Sequence, residues 1–409
     1  MSTWSLSWSG LRTVTELEIK QRVRSRRWIW ALAGWVLVLA VITGMIMLAA
    51  TSIAGPAGQG YGNGPGPLAF SAITFLVLGM GLVIAPAFTA TAINGDRAAG
   101  TLATVQATNL SALEIAAGKL TAAWLTAAVF LVAAVPFIAW SMLLGGISIA
   151  QVLVVFAVVL VEVAVICAVG LGWSAVISRA AGSTLLTYLS VVALAFATVI
   201  VFGLSTVLVT SEQTVRVWGL SPEVAKAYSD QVDQYYTENP NGGDPPPAPV
   251  DKCAWFDAQE SVTRTDQIWW LLLVNPFVIV SDAAPLPPGA AQSLGSYAGS
   301  ANDPMASLRY QVRRLSTPPA IQVDRCSFYY DGQPGYSVEY DNQGNVTVLT
   351  KGGVRVQVSP VKEAVLNVET PVWPWGLGLH LLLGAAFFWM AVHRLRIPYR
   401  RLRPGTRVA

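Results

Sequence analysis

The chain has 409 residues, of which 54% are hydrophobic and only 12% charged, with a formal net charge of +3. A mean hydropathy of +0.52 excludes an ordinary soluble domain, whose water-facing surface needs more charged side chains than these. So small a net charge gives no basis for nucleic acid as a partner; how the charge is distributed along the chain is what informs.

Taken in order, Trp8 to Arg27 is amphipathic. Trp8, Leu11, Val14 and Leu17 or Glu18 fall at helical spacing, and Thr13 with Glu16 offers a cap for the start. The basic end (Lys20, Arg22, Arg24, Arg26, Arg27) suits an anionic lipid surface, so residues 1–27 are expected to form a cytoplasmic interfacial helix. The competing view is a positive flank without fixed structure. A cleaved signal peptide is not expected, because the apolar run that follows exceeds an ordinary signal core.

A membrane span needs roughly 20 apolar residues. Within residues 28–209 five stretches qualify: Trp28–Ala50, Leu68–Ile93, Leu120–Leu144, Ile149–Ile177 and Ser183–Val209. A sixth, Trp375–His393, falls within residues 373–393, and a basic tail occupies 394–409. Lys and Arg crowd both termini and are absent from Thr51–Pro67 and Gly145–Ser148. The positive-inside rule then places both termini in the cytoplasm of a multi-pass plasma-membrane protein.

Pro86 and Pro136 are expected to kink the second and third spans. Glu162 falls near the middle of the fourth, where an acid costs roughly 2.5–3.5 kcal/mol on insertion scales. It should face protein or water, as a proton relay or substrate contact, or as a hydrogen bond that fixes helix packing. His380 and His393 have no companions at metal spacing and are assigned to packing and to the interface. Cys167, inside a span, behaves as a small apolar residue.

Between the second and third spans lies the polar interlude 94–119. Asn94–Asp96 is a turn signal that stops the second span. Arg97 to Ala107 reads as a short helix, with Leu102, Val105 and Gln106 giving it modest apolar character. Ser111 and Glu114 form a capping box that starts a new helix near Ala112, passing Lys119 into the third span. The result is a short helix held flat at a membrane face by two spanning helices, or else an ordinary ordered loop. Gly95 and Gly100 have the spacing of two P-loop glycines but lack the lysine, so no ATP site of that kind is expected.

The acid-rich segment 210–372 follows the fifth span. Ser211–Asp266 is polar and includes the Pro-rich linker Asn239–Pro249. The apolar stretch 268–280 is too short to span; it reads as an outer-leaflet or re-entrant helix broken at Asn275-Pro276, or as a buried core helix. Residues 321–368 alternate in the manner of strands (CSFYY, YSVEY, VTVLT, VRVQV) and predict a small antiparallel sheet. Cys253 and Cys326 fall in this segment, where an oxidising compartment permits one bridge between them. The fold class is therefore an all-α polytopic membrane protein, with six transmembrane helices and a large mixed α/β extracytoplasmic domain between helices five and six.

Asp96-Arg97-Ala98-Ala99-Gly100-Thr101-Leu102, then Thr108-Asn109-Leu110-Ser111, Glu114-Ile115 and Gly118-Lys119, resembles the cytoplasmic signature of the permease subunits of type-2 ABC exporters. Ala98 departs from the pattern's second acid, and Asn109 from its usual proline. Trp8–Arg27 is similar to the family's connecting helix, and Asn275-Pro276-Phe277 to a motif before its last span. The resemblance covers the spans and these motifs, not most of the segment between the fifth and sixth.

What it implies is the transmembrane subunit of an ATP-driven exporter, a bacterial one. This subunit would pair with a second permease copy or a paralogue in membrane lipid and be served by two separate ABC ATPase subunits. No cofactor is expected on this chain; ATP and Mg would belong to the partner ATPase. The loop would be a coupling helix, involving Asp96, Arg97, Gly100, Thr101, Leu102, Val105 and Glu114. Arg97 would make a charged rim contact, and Thr101, Leu102 and Val105 the face seated in the partner. An ATP-independent transporter and a membrane-anchored sensor remain alternatives. An enzyme is not expected, since no nucleophile–base–acid set stands out.

Overall fold

The structure, a computed structural model, describes residues 5–24, 26–54, 65–106, 110–240, 242–243, 245–246, 248–249, 252–285, 303–326, 337–340, 346–349 and 370–396. Among the described residues, six helices are long and apolar enough to cross a membrane: Trp28–Ala49, Gly66–Ala98, Ala112–Leu143, Ile149–Val176, Ala180–Leu208 and Trp373–Leu395. The chain forms two compact units. One contains Met1–Gly203, Trp269–Arg314 and Val368–Ala409, and the other Leu204–Ile268 and Leu315–Asn367.

The helical unit begins with α1 (Trp8–Val23). Its cap is Ser7, whose hydroxyl accepts from the Gly10 amide, rather than the expected Thr13. Thr13 lies a turn inside the helix and donates back to the Ser9 carbonyl, because the helical pattern extends upstream to Trp8. Next come α2 (Arg26–Ala54) and α3 (Gly66–Thr89), the latter carrying Pro86 within its length. Two short helices, α4 (Asn94–Ala98) and α5 (Thr101–Gln106), precede α6 (Ala112–Val132).

The third span is divided. α6 ends at Val132, and α7 (Val135–Leu143) restarts with Pro136 in its first turn, where a missing N–H costs nothing. α8 (Ile149–Val176) is unbroken. In the fifth span a π turn, Ala193–Ala197, separates α9 (Ala180–Val192) from α10 (Thr198–Leu208). Small residues let the helices approach closely: a Cβ on Gly170 would lie 2.1 Å from Thr89 Oγ1, and one on Gly81 2.8 Å from Val163. Phe70, Ile73, Leu78, Leu131 and Ile166 are buried in the shared core.

Part of the segment between the fifth and sixth spans belongs to this unit. Residues 268–280 do not form one helix. A 3₁₀ turn, Trp269–Leu272, gives way to α12 (Pro276–Ala283), α11 (Pro222–Glu238) lying earlier in the chain, in the sheet unit. The side-chain oxygen of Asn275, Oδ1, accepts from the amides of Phe277 and Val278, so the Asn-Pro pair starts a helix instead of merely breaking one. α13 (Pro304–Leu315) was not anticipated. Arg313 Nε donates to Asp282 Oδ1 at 2.5 Å, and Arg309 donates to the Ala284 carbonyl. Asp282 Oδ2 accepts from the Val372 and Trp373 amides at 2.6 and 2.8 Å, capping α14 (Trp373–Leu395), the sixth span. Trp269–Arg314 thus groups with the helices, and Leu204–Ile268 with Leu315–Asn367 makes up the other unit.

The second unit centres on β1 (Thr210–Gly219), in which Val215 and Val217 are buried while Thr214 and Arg216 are exposed. β1 pairs antiparallel with β2 (Ala254–Thr263), from Thr210 opposite Thr263 to Gly219 opposite Ala254. It pairs parallel with β3 (Gln322–Asp324). α11 (Pro222–Glu238) follows β1 in the chain. β4 (Ser337–Tyr340) and β5 (Val346–Leu349) make a separate antiparallel pair from YSVEY and VTVLT. VRVQV and most of CSFYY lie outside the described residues. Ser211–Asp266, read from sequence only as polar, supplies the two ten-residue strands. Cys253 and Cys326 are joined by a disulfide with Cα atoms 6.4 Å apart.

Candidate functional site

The loop between α3 and α6 is built by caps and by contacts from three other helices. α3 turns at Ala90–Ile93 directly into α4, so Asn94–Asp96 continues the helical path instead of stopping it. The reason is a cap supplied in trans: the Ser174 hydroxyl of α8 accepts from the amides of Ile93 and Asn94 at 2.9 and 3.2 Å. Asn94 Nδ2 donates to the Ile177 carbonyl and to Ser183 Oγ, and Ser183 donates to the Ala90 carbonyl. The loop is thereby pinned to the α8–α9 junction.

The expected single helix over Arg97–Ala107 is two. Gly100 adopts φ +70°, a left-handed conformation that turns the chain between α4 and α5. A Cβ there would meet nothing within 4 Å, so glycine is needed for the backbone angle and not for close packing. Thr101 is exposed and donates to the Asp96 carbonyl. Leu102, expected to face a partner, is instead buried with Ile93, Ile115, Leu171 and Val392. Its position just after the Gly100 turn points it into the chain's own core. Val105 lies on α5, and its side chain is outside the described residues. Arg97 is partly exposed and makes no ion pair among the described residues.

Ser111 and Glu114 form a reciprocal capping box at the start of α6. Glu114 does more than the motif requires: its Oε1 accepts from the amide and the hydroxyl of Ser7 at 2.7 and 2.6 Å. Ser111 Oγ donates to the Ser5 carbonyl at 2.5 Å. The caps of α1 and α6 are therefore one network. Lys119, one turn farther along α6, is paired with both Glu18 of α1 and Asp96 of α4. Glu18 also pairs with Arg22 at 3.3 Å. α1 is thus fixed on α6, with Gly118 packed against Val14.

A second polar locus lies inside the bundle. Glu162 is fully buried, and its Oε2 lies 2.7 Å from His380 Nδ1 on α14. His380 Nε2 donates to the Val274 carbonyl at 2.9 Å. The two were read separately from sequence, Glu162 as an open question and His380 as packing. Their one legible signal is that each is an ionisable group midway along an otherwise apolar stretch. Next to Val274, Asn275 Nδ2 donates to the Ala195 carbonyl of the π turn at 2.8 Å and to Thr198 Oγ1 at 3.0 Å. No protein-family model matches the sequence, and no curated protein matches it.

Proposed function

We propose that the chain is the permease subunit of an ATP-driven exporter of the type-2 ABC class, moving its substrate outward on energy from separate ATPase subunits. In this reading it is a plasma-membrane protein with cytoplasmic termini, an extracytoplasmic sheet unit and a second permease chain beside it. Two ATPase subunits that bind ATP and Mg dock at the loop carrying Asp96, Arg97, Gly100 and Thr101. Leu102 and Glu114 act from within, holding the loop to its own helices.

The observation that carries the reading is Lys119, bonded at once to Asp96 in the loop and Glu18 in α1. With the Ser174–Asn94 contacts it makes the loop a stiff lever joined to α1, α3, α6 and α8, so a push on Gly100 moves helices and not slack chain. At the tip, Arg97 is partly exposed and Thr101 exposed, so both side chains face outward where a partner would dock.

The test is whether an ATP-binding subunit copurifies with the full chain extracted in detergent from its native membrane, followed by ATP hydrolysis in liposomes. Arg97→Glu reverses the tip charge and should slow association and change its salt dependence. Gly100→Val opposes the left-handed turn and should lower substrate-stimulated hydrolysis. Wild-type partner binding and hydrolysis in both variants would overturn the assignment.

A further inference from the structure

The contacts around His380 fix a proton count. A carbonyl only accepts, so His380 Nε2 carries a hydrogen and donates it to Val274. The 2.7 Å contact between Nδ1 and Glu162 Oε2 then holds one proton, because two facing lone pairs or two facing hydrogens would repel. Whichever atom carries that proton, the pair is neutral overall. Glu162 Oε1 is buried and has no hydrogen-bond partner among the described residues.

We propose that Glu162 and His380 form a proton-binding site inside the helix bundle, whose single proton latches α8 to α14 and to the Val274–Asn275 corner. Loss of the proton to water leaves a carboxylate opposite a bare Nδ1 lone pair. Uptake of a second from water leaves a carboxylic acid opposite an imidazolium N–H. Either state is a buried charge without a counterion and weakens the latch: the first sets two lone pairs face to face, and the second puts a proton on Oε1 and leaves an imidazolium against a neutral acid. The corner is held from its other side by Asn275 on the π turn, a helical irregularity that leaves carbonyls open to outside donors. The proton therefore joins the fourth and sixth spans, and the Val274–Asn275 corner carries that tie to the fifth through the Asn275 amide.

The packed neighbours supply no rival charge. α3 has no ionisable side chain. On α6, Lys119 is held by Glu18 and Asp96 and Glu114 by Ser7 and Ser111; Asp282 of α12 is held by Arg313 and two amides, and Arg394 lies in the last turn of α14. Tyr188 of α9 donates to the Val83 carbonyl, His393 lies in the last turn of α14, and Cys167 is buried on α8 itself.

The test uses the full chain in lipid nanodiscs, with spin labels at Leu153→Cys and Leu382→Cys, both exposed positions on α8 and α14. The distance distribution is followed from about pH 5 to about pH 9, a range bracketing imidazole titration. The wild type should show one narrow distance near neutrality and lose it toward either extreme. Glu162→Gln, whose amide N–H replaces the shared proton, should stay narrow on the alkaline side, and His380→Phe should be broad throughout. A pH-invariant wild type, or a Glu162→Gln profile matching the wild type, overturns the proposal. Infrared difference spectra of the unlabelled chain give a second measurement. A pH-dependent carboxyl band lost in Glu162→Gln supports the site, and no such band overturns it.

Discussion

Replacing Lys119 by methionine should unfasten α1 from the start of α6. The ammonium side chain is 4% exposed and faces two carboxylates, Glu18 at 12% and Asp96 at 35% exposure. Methionine keeps the length of the stem but leaves both acids without it. Removing one partner of a fully buried pair costs about 3–5 kcal/mol. Here Arg22 still serves Glu18, and Asp96 regains water, so about 2 kcal/mol is the reasonable figure. That corresponds to about a 30-fold rise in local opening. Amide hydrogen exchange in nanodiscs reads it directly: protection over Leu11–Lys20 should fall by that factor while α8 is unchanged. Adding Asp96→Asn to Lys119→Met should recover most of the loss, because Glu18 keeps Arg22 and the other unpaired acid is gone. Unchanged α1 protection in the single variant would refute the pairing as a structural tie.

Three further outcomes follow from the geometry. Gly118→Leu drives a Cβ to within 2.6 Å of Val14, so α1 should lift at a cost of about 1–3 kcal/mol, with faster proteolysis at Arg22 and Arg24 and partial rescue by Val14→Ala. Equal cleavage rates with and without the leucine would count against that packing. Reducing the Cys253–Cys326 bridge, which spans 73 residues, should lower the sheet unit's stability by about 4 kcal/mol in the chain-entropy model. Exchange of the β1–β2 amides measures it, and insensitivity to reductant would contradict it. A cytoplasm-only reporter should be active after Ala409 and an exterior-only reporter at Gly243; the reverse pattern would invert the orientation read from the charges.

Local chemistry decided where the long helices run, since unbroken apolar stretches such as Ile149–Val176 have no other stable form away from water. It also decided the cap of α6, because Ser111 and Glu114 satisfy each other within one turn. Such signals act over three or four residues and survive any tertiary arrangement. Contacts with no sequence period were settled only by the fold. Ser174 caps α4 from 80 residues away, which is why Asn94–Asp96 continues a helix despite reading as a turn. Leu102 faces inward because the Gly100 turn redirects the chain, a choice that a sparse apolar pattern does not reveal. Glu162 finds His380 across 218 residues, since a buried acid must meet a partner and only packing decides which one comes within reach.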